Sequence, residues 1–529
     1  MKKIMSLLLS LTSLLANASP PLLVIQVVID QLRGDLLQQY QDKFSANGFN
    51  YLFAHGINFQ NTYHAHANTV TCVGHATLAT GTDPVFHGII ANSWFNRETQ
   101  KTEYCVKDLK SQILPTIHTK KPMSGRSPQN LMASTLSDEI VLAKKGRAFG
   151  ISYKDRAAIT LAGHAGKAFW FDQKNGGFIT SSYYYSAYPS WVVDWNKHYS
   201  PQKETWSLSN KITSYRFKEF QQNFPHHTGE PTDPRYFEIL EAMPKIDELT
   251  ADFAIKLLQE EKLGTNNKQT DYLAISFSAV DGVGHEFGPN SLESEDNLIR
   301  LDNTMAKLLQ AVDKQVGLKN TLIVLTADHG VANSSPYLKA NHFKTASPLT
   351  LKDLRILIAN TLAEKFNLPE ETIQSIELPY IYLNQALIDE QRVAYQDVSN
   401  VLLNVLRQQK GIFQAYSLPV KSTSQDWLSD KVNRMVFLNR VGDLYLVFPP
   451  NTLVPDQTDV DHGSPWQYDS YVPLLFAHPA FQPKRLMNLT KTTDIAPTLA
   501  AILQITAPSA AFGKPLKEVT QYFAFETTP

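Results

Sequence analysis

The chain has 529 residues, of which 43% are hydrophobic and 19% charged, and its formal net charge is -1. That length holds a large core and is compatible with roughly three domains. The near-even charge balance excludes the basic footprint of a nucleic-acid binder or of a protein held on an anionic membrane.

In chain order, residues 1–18 come first. Lys2 and Lys3 precede an apolar run over 4–15, which ends in Ala16-Asn17-Ala18. A positive start, a short apolar stretch and an A-x-A site read as a secretory signal peptide. The run is too short for a membrane span, which takes about 20 apolar residues. Cleavage after Ala18 removes two lysines and no acids, taking the net charge from -1 to -3. No later segment reads as a second span. A mature chain of residues 19–529, free of the membrane and periplasmic or secreted, is expected.

Residues 22–29 (LLVIQVVI) read as a buried strand ending at Asp30. Residues 69–81 (TVTCVGHATLATG) are rich in hydroxyls, and Thr71 precedes a short helix expected over 72–80. There the Thr71 oxygen suits a metal while helix N–H groups face an anion. The plain alternative is a threonine N-cap. Cys72 and Cys105 are the two cysteines. In an exported protein they form a disulfide or remain free, buried thiols, and both readings stay open.

Residues 148–152 (AFGIS) run into Lys154-Asp155-Arg156, which by itself reads as a solvated charged turn. Two stretches, about 171–265 and 335–450, break the strand–helix rhythm and read as cap insertions on one core. Residues 274–280 (AISFSAV) end at Asp281, and Asp281-Gly-Val-Gly-His285 sets an acid and an imidazole four apart across a glycine-rich turn. A helix over 292–316 follows, with Leu298, Leu301, Met305, Leu308, Leu309 and Val312 near one face.

Residues 321–327 form another apolar run, followed by Asp328, His329 and Gly330. Asp461-His462-Gly463-Ser464-Pro465 is turn-forming, 472–477 is a late strand, and Thr493 or Asp494 caps a last helix through Leu503. Apolar strands alternating with helices imply an α/β fold with a mostly parallel central sheet covered on both faces.

Acids after three apolar runs, two with nearby histidines, lie where open α/β sheets place ligands. Together they furnish mixed nitrogen and oxygen donors for two metal sites.

The ordered set Asp30, Thr71-Cys-Val-Gly-His75, Gly88-Ile-Ile-Ala-Asn92-Ser-Trp94, Asp281-x-x-x-His285, Asp328-His329-Gly330 and His462-Gly463 resembles the alkaline phosphatase superfamily. Within it, the set is most similar to the type I phosphodiesterase/nucleotide pyrophosphatase branch, and there to the monomeric, phosphate-irrepressible periplasmic alkaline phosphatases. The resemblance spans residues 22–505. It implies an alkaline phosphatase-like fold and two zinc ions. Asp281, His285 and His462 would hold one ion. Asp30, Asp328 and His329 would hold the other, with Thr71 as its ligand and the nucleophile. Asn92 matches a phosphoryl-binding asparagine, and Lys154 with Arg156 matches the pair that marks the monoesterase subgroup. A covalent phosphothreonine, small-molecule phosphate monoesters as substrates, and a monomer follow from the same resemblance.

Charge supports the last pair independently. A phosphate monoester is a dianion and a diester a monoanion. A lysine and a bidentate-capable arginine on the extra oxygen favour the dianion. His64, His66, His75, His87, His164 and His342 match no ligand position, and His75 is expected to pack or hydrogen-bond behind Thr71. Three rivals remain. A phosphodiesterase or nucleotide pyrophosphatase would use the same scaffold. A sulfatase needs a C/S-x-P-x-R context, whereas Cys72 is followed by Val73, Gly74 and His75. A non-catalytic exported binding protein using the Tyr- and Trp-rich cap would hold no metal. Manganese or iron fit similar ligand sets.

Overall fold

In the computed structural model, residues 18–117, 119, 124–220, 224–343, 349–420, 426–452 and 460–523 are described. The signal-peptide reading of residues 1–18 falls almost wholly outside them. Among the described residues no helix is long and apolar enough to cross a membrane.

The central layer is a nine-stranded sheet. Its strands are β1 (Leu23–Ile29), β2 (Gly56–Phe59), β3 (Ala148–Ser152), β4 (Lys167–Phe171), β5 (Phe178–Ile179), β6 (Asp271–Phe277), β7 (Thr321–Thr326), β8 (Leu474–Ala477) and β9 (Lys484–Leu486). The spatial order is β9-β2-β8-β7-β1-β6-β3-β4-β5. The central strands β7, β1, β6, β3 and β4 are parallel. β8 runs antiparallel to both β7 and β2, and β5 antiparallel to β4, so the sheet is mixed.

Every residue of β1 is buried because helices cover both faces. Side chains alternate across a strand. Leu23, Ile25, Val27 and Ile29 therefore enter one core with Leu273, Ile275 and Phe277, while Val24 and Val28 enter another with Leu322, Val324 and Leu499. Each such side chain, fully buried, contributes about 1.5–3 kcal/mol. The lone polar residue of β1, Gln26, accepts the Tyr272 hydroxyl at 2.9 Å.

The helices that matter to the site are α1 (Thr71–Thr80), α2 (Asp155–Ala162), α3 (Lys245–Glu260), α4 (Ala279–Phe287), α5 (Leu292–Gln315) and α6 (Ile495–Leu503). The six apolar residues expected along one face of α5 are all buried.

One strand boundary differs from the sequence reading. β6 ends at Phe277, and residues 279–287 are helix α4. Asp247 of α3 is the physical reason: its Oδ1 accepts the backbone N–H of Ser278 at 2.7 Å and of Ala279 at 3.0 Å. Those donors are thereby taken from the sheet ladder.

The Tyr- and Trp-rich stretch joins the main layer at both ends, through β5 and α3. Its aromatic rings face that layer: Phe178 stacks on Phe253 with centroids 4.0 Å apart. Between residues 351 and 447 the chain builds a separate four-stranded antiparallel sheet with its own core of Leu354, Ile358, Leu402 and Leu446.

Candidate active site

The carboxyl ends of β1, β6 and β7 lie side by side, and the expected acids gather there. Asp30 directly follows β1, and Asp328 lies two residues past β7. Asp281 does not end a strand. It sits in the first turn of α4, and His285 lies one helical turn further on, on the same face. The spacing read as a glycine-rich turn is thus a helical i, i+4 pair. A Cβ at Gly284 would lie 1.8 Å from Gln31 Oε1, so a larger residue there would displace the Gln31 amide from Asp281.

His329 Nε2 is 3.3 Å from Asp30 Oδ1 and 3.4 Å from Asp328 Oδ2. All three residues are fully buried, and among the described residues these three atoms accept no hydrogen bond, with His75 Nδ1 lying 3.1 Å from Asp328 Oδ2. Close by, Asp281 Oδ1 is 3.2 Å from His285 Nε2 and 3.5 Å from His462 Nε2. The rings of His329 and His462 stack at 3.6 Å. Asp30, Asp328 and His329 form one group with metal-ligand spacing. Asp281 with His329 and His462, and Asp461 with His285 and His462, form two more.

The three imidazoles share one further feature. His329 Nδ1 lies 3.0 Å from the Gly330 carbonyl, His285 Nδ1 3.1 Å from the Val460 carbonyl, and His462 Nδ1 2.8 Å from the Thr69 carbonyl. A carbonyl only accepts, so each Nδ1 carries a proton and each Nε2 is the nitrogen turned to the cluster.

Thr71 is the first residue of α1 and is 1% exposed. Val70 is the N-cap, so the Thr71 hydroxyl is not used in capping, and the plain N-cap reading is set aside. The helix approaches β7's end closely because of Gly74, where a Cβ would sit 2.0 Å from the Asp328 carbonyl oxygen. His75 lies behind Thr71 as expected: its Nδ1 is 2.9 Å from the Thr71 carbonyl and 3.1 Å from Asp328 Oδ2, and its Nε2 is 2.8 Å from Ser276 Oγ. Burial pushes the Asp328 carboxyl up, but His329 and His75 outweigh it and hold it well below the usual range.

Cys72 and Cys105 form a disulfide, which decides the pairing that the sequence left open. It ties the start of α1 to a hairpin of strands Ser93–Asn96 and Lys101–Tyr104. Asn92 lies at the same corner. Its Oδ1 accepts Cys72 N–H at 2.9 Å, which aims its amide N–H groups away from the helix, and its carbonyl accepts Cys105 N–H at 2.9 Å.

Lys154 and Arg156 are not a solvated turn. Lys154 is 1% exposed, and its Nζ donates to Asp30 Oδ2 at 2.8 Å and to Asp281 Oδ2. Burial disfavours the ammonium, but Asp281 and Asp30 more than compensate and keep it charged. Arg156 is the second residue of α2 and sends Nη2 to Thr71 Oγ1, a long contact of 3.4 Å.

Thr71, Asn92, Arg156, Asp281, His285 and His462 line a cavity of about 550 Å³. Its far wall comes from Leu378, Pro379, Phe448 and neighbours, mostly apolar groups of the second sheet.

Two residues at the site escaped the sequence reading. Gln31, at φ 67°, donates through Nε2 to Asp281 at 2.8 Å and through its N–H to Asp328 at 3.2 Å, joining both acid groups. Its position directly after Asp30 was the only signal. Asp469 anchors the His462 loop by accepting Ser464 N–H at 2.9 Å and the Ser464 hydroxyl at 2.5 Å.

The chain matches the family model of type I phosphodiesterase / nucleotide pyrophosphatase over residues 24–467. It is 32% identical over 525 residues to a calcium-transporting ATPase of Myroides odoratus, with 95% of each chain covered. It is 31% identical over 532 residues to alkaline phosphatase PafA of Elizabethkingia meningoseptica, again with 95% of each covered. The crystal structure of wild-type alkaline phosphatase PafA superposes with a TM-score of 0.85 at 28% identity, covering 95% of this chain and 100% of that one.

Proposed function

Because the chain belongs to the type I phosphodiesterase/nucleotide pyrophosphatase family, we propose that its cavity is the active site of an alkaline phosphatase that hydrolyses phosphate monoesters with Thr71 as nucleophile. The observation that carries this is the set of three imidazoles whose Nδ1 atoms are tied to backbone carbonyls, which turns every Nε2 toward Asp30, Asp281 or Asp328. Burying acceptors without donors costs about 1–3 kcal/mol each. The orphaned Asp30 Oδ1, Asp328 Oδ2 and His329 Nε2 therefore fit a bound divalent cation. Mixed histidine and carboxylate donors suit zinc, and the ligands divide between two ions. Asp281, His285 and His462 would hold one; Asp30, Asp328, His329 and Thr71 the other.

When bound, the ions supply positive charge to the attacking and leaving oxygens and acidify the threonine hydroxyl. The chain's residues do the rest. Thr71 Oγ attacks phosphorus in line, the ester bond to the leaving oxygen breaks, and a phosphothreonine forms. The departing alcohol takes up a proton. Water then attacks the same phosphorus, returning Thr71 and releasing phosphate. Asn92 Nδ2 and the N-terminus of α1 hold phosphoryl oxygens, with the helix dipole favouring the anion. Arg156 pairs with the oxygen that a diester lacks. Lys154, with its two carboxylates engaged by cations, is left to the same oxygen. Phosphoryl transfer gains chiefly from such positioning and charge stabilisation.

A relative named as an ATPase fits this chemistry, because the terminal phosphoryl group of ATP presents the same multiply charged oxygens. Diester cleavage on the same scaffold is the alternative, and the buried cations Lys154 and Arg156 weigh against it. Export to an oxidising compartment is supported by the Cys72–Cys105 disulfide and by residues 1–18. We read the protein as a monomer there, with the 335–450 stretch walling the leaving-group side.

Thr71→Ala tests the nucleophile. Turnover of an aryl phosphate should fall by at least about a thousandfold, with zinc content and far-UV circular dichroism unchanged. Turnover near the wild-type rate would remove Thr71 from that role.

A further inference from the structure

We infer that Tyr104 is a positioning residue for Arg156, and that Asp155 and Arg126 hold Tyr104 in that role. The inference rests on the monoester reading above, in which Arg156 binds the extra phosphoryl charge.

Arg156 has a carboxylate as its immediate neighbour. A free Asp155 would pair with the guanidinium and cancel the charge that substrate needs. Here both Asp155 oxygens are already taken. Oδ2 accepts Arg126 Nε at 2.6 Å. Oδ1 accepts the Tyr104 hydroxyl at 2.5 Å and the Arg156 backbone N–H at 2.7 Å. The Arg126 guanidinium also lies over the Tyr104 ring, 5.0 Å from its centroid. Arg126 thus balances Asp155, and Arg156 keeps its charge for the cavity.

The Tyr104 hydroxyl donates to the same Asp155 Oδ1 that accepts the Arg156 backbone N–H, and Tyr104 and Arg156 line one cavity. Burial, reinforced by Asp155, raises the hydroxyl well above its ordinary range, so it stays a donor at alkaline pH. Arg156 Nε has no hydrogen-bond partner among the described residues, so the guanidinium is held only by the long contact to Thr71 and by the side chains packed beside it. A second cavity of about 590 Å³, lined by Tyr104, Arg126, Asp155, Trp170 and Lys174, opens on the far side of Arg156. It gives the guanidinium room to turn away from substrate, and the Tyr104–Asp155–Arg126 network opposes that turn.

The placement is tied to the nucleophile. Tyr104 ends its strand and pairs with Ser93, which follows Asn92. The next residue, Cys105, is bonded to Cys72, which follows Thr71. One corner of the fold therefore sets Thr71, Asn92 and, through Tyr104, Arg156.

The test is a double-mutant cycle on the metal-loaded full chain: wild type, Tyr104→Phe, Arg156→Ala and the double variant, each assayed with an aryl phosphate monoester and a matched diester. Tyr104→Phe should lower monoester kcat/KM by about tenfold, chiefly through KM, and diester kcat/KM by less than about twofold. In the Arg156→Ala background it should cost nothing further. An unchanged monoester rate, an equal loss on both substrates, or the same tenfold loss without Arg156 overturns the proposal. Arg156→Ala alone reports on the parent reading: if it spares the monoester, that reading fails instead. Arg126→Ala, at a partly exposed position, gives a second arm. It should reproduce the monoester-selective loss and be rescued by Arg126→Lys. Equal loss on both substrates, or no rescue, counts against the network.

Discussion

Around Asp30, Asp328 and His329, three buried acceptor atoms face one another and accept no hydrogen bond among the described residues. Around Asn92 and Arg156, donors are held at the rim and left open toward the cavity. The first region is completed by something positive and the second by something negative. A phosphate ester bound beside divalent cations satisfies both at once. The contrast teaches that the site is two half-sites, each electrostatically incomplete, joined at the Thr71 oxygen. Lys154 bridges them. It is a cation placed among the acceptors, and it sits between Asp30 and Asp281 in this structure.

The sharpest way to break the contrast is to remove an acceptor. Asp328→Asn keeps the side-chain volume but replaces a buried anion with a neutral amide. Hydrolysis should fall by at least about a thousandfold, with loss of close to one metal ion per chain by elemental analysis. Full metal content with full activity would mean that the orphaned acceptors serve some other purpose. A smaller effect is expected from the second region. Cys72→Ser with Cys105→Ser opens a cross-link between residues 33 apart in sequence. Loss of that constraint should cost about 3–4 kcal/mol of stability on the chain-entropy account. Metal content should persist while KM for the monoester rises, because the corner carrying Asn92 and Tyr104 loosens. If metal is lost as well, the two half-sites are not separable.

The sequence disclosed the first region better than the second. Acids and histidines after buried apolar runs are visible in one dimension, because a strand end fixes where the next side chain goes. Asp30, Asp328 and His329 were legible for that reason, and Thr71 because it opens a hydroxyl-rich helix. Asp281 was read onto a strand end because AISFSAV is mostly apolar, whereas the break at Ser278 comes from Asp247, about 30 residues upstream in the chain. Lys154 and Arg156 carried no sign of burial in sequence, since burial is set by packing of α2 against its neighbours. The disulfide and the Tyr104 network depend on a hairpin that brings residue 104 beside 93, and nothing local announces that pairing. Gln31 was not legible, because its left-handed backbone and its reach to Asp281 are tertiary facts.

The most direct measurement is the ratio of monoester to diester kcat/KM for the zinc-loaded protein and for Lys154→Ala/Arg156→Ala. Two charge-assisted contacts to one extra oxygen are worth about 1.5–3 kcal/mol each, which corresponds to roughly 10²- to 10⁴-fold in rate. Wild type should prefer the monoester by about that factor, and the double variant should lose most of the preference while keeping its diester rate within a few fold. A wild type that favours the diester, or a variant that loses both activities equally, would contradict recognition of the phosphate dianion by these two residues.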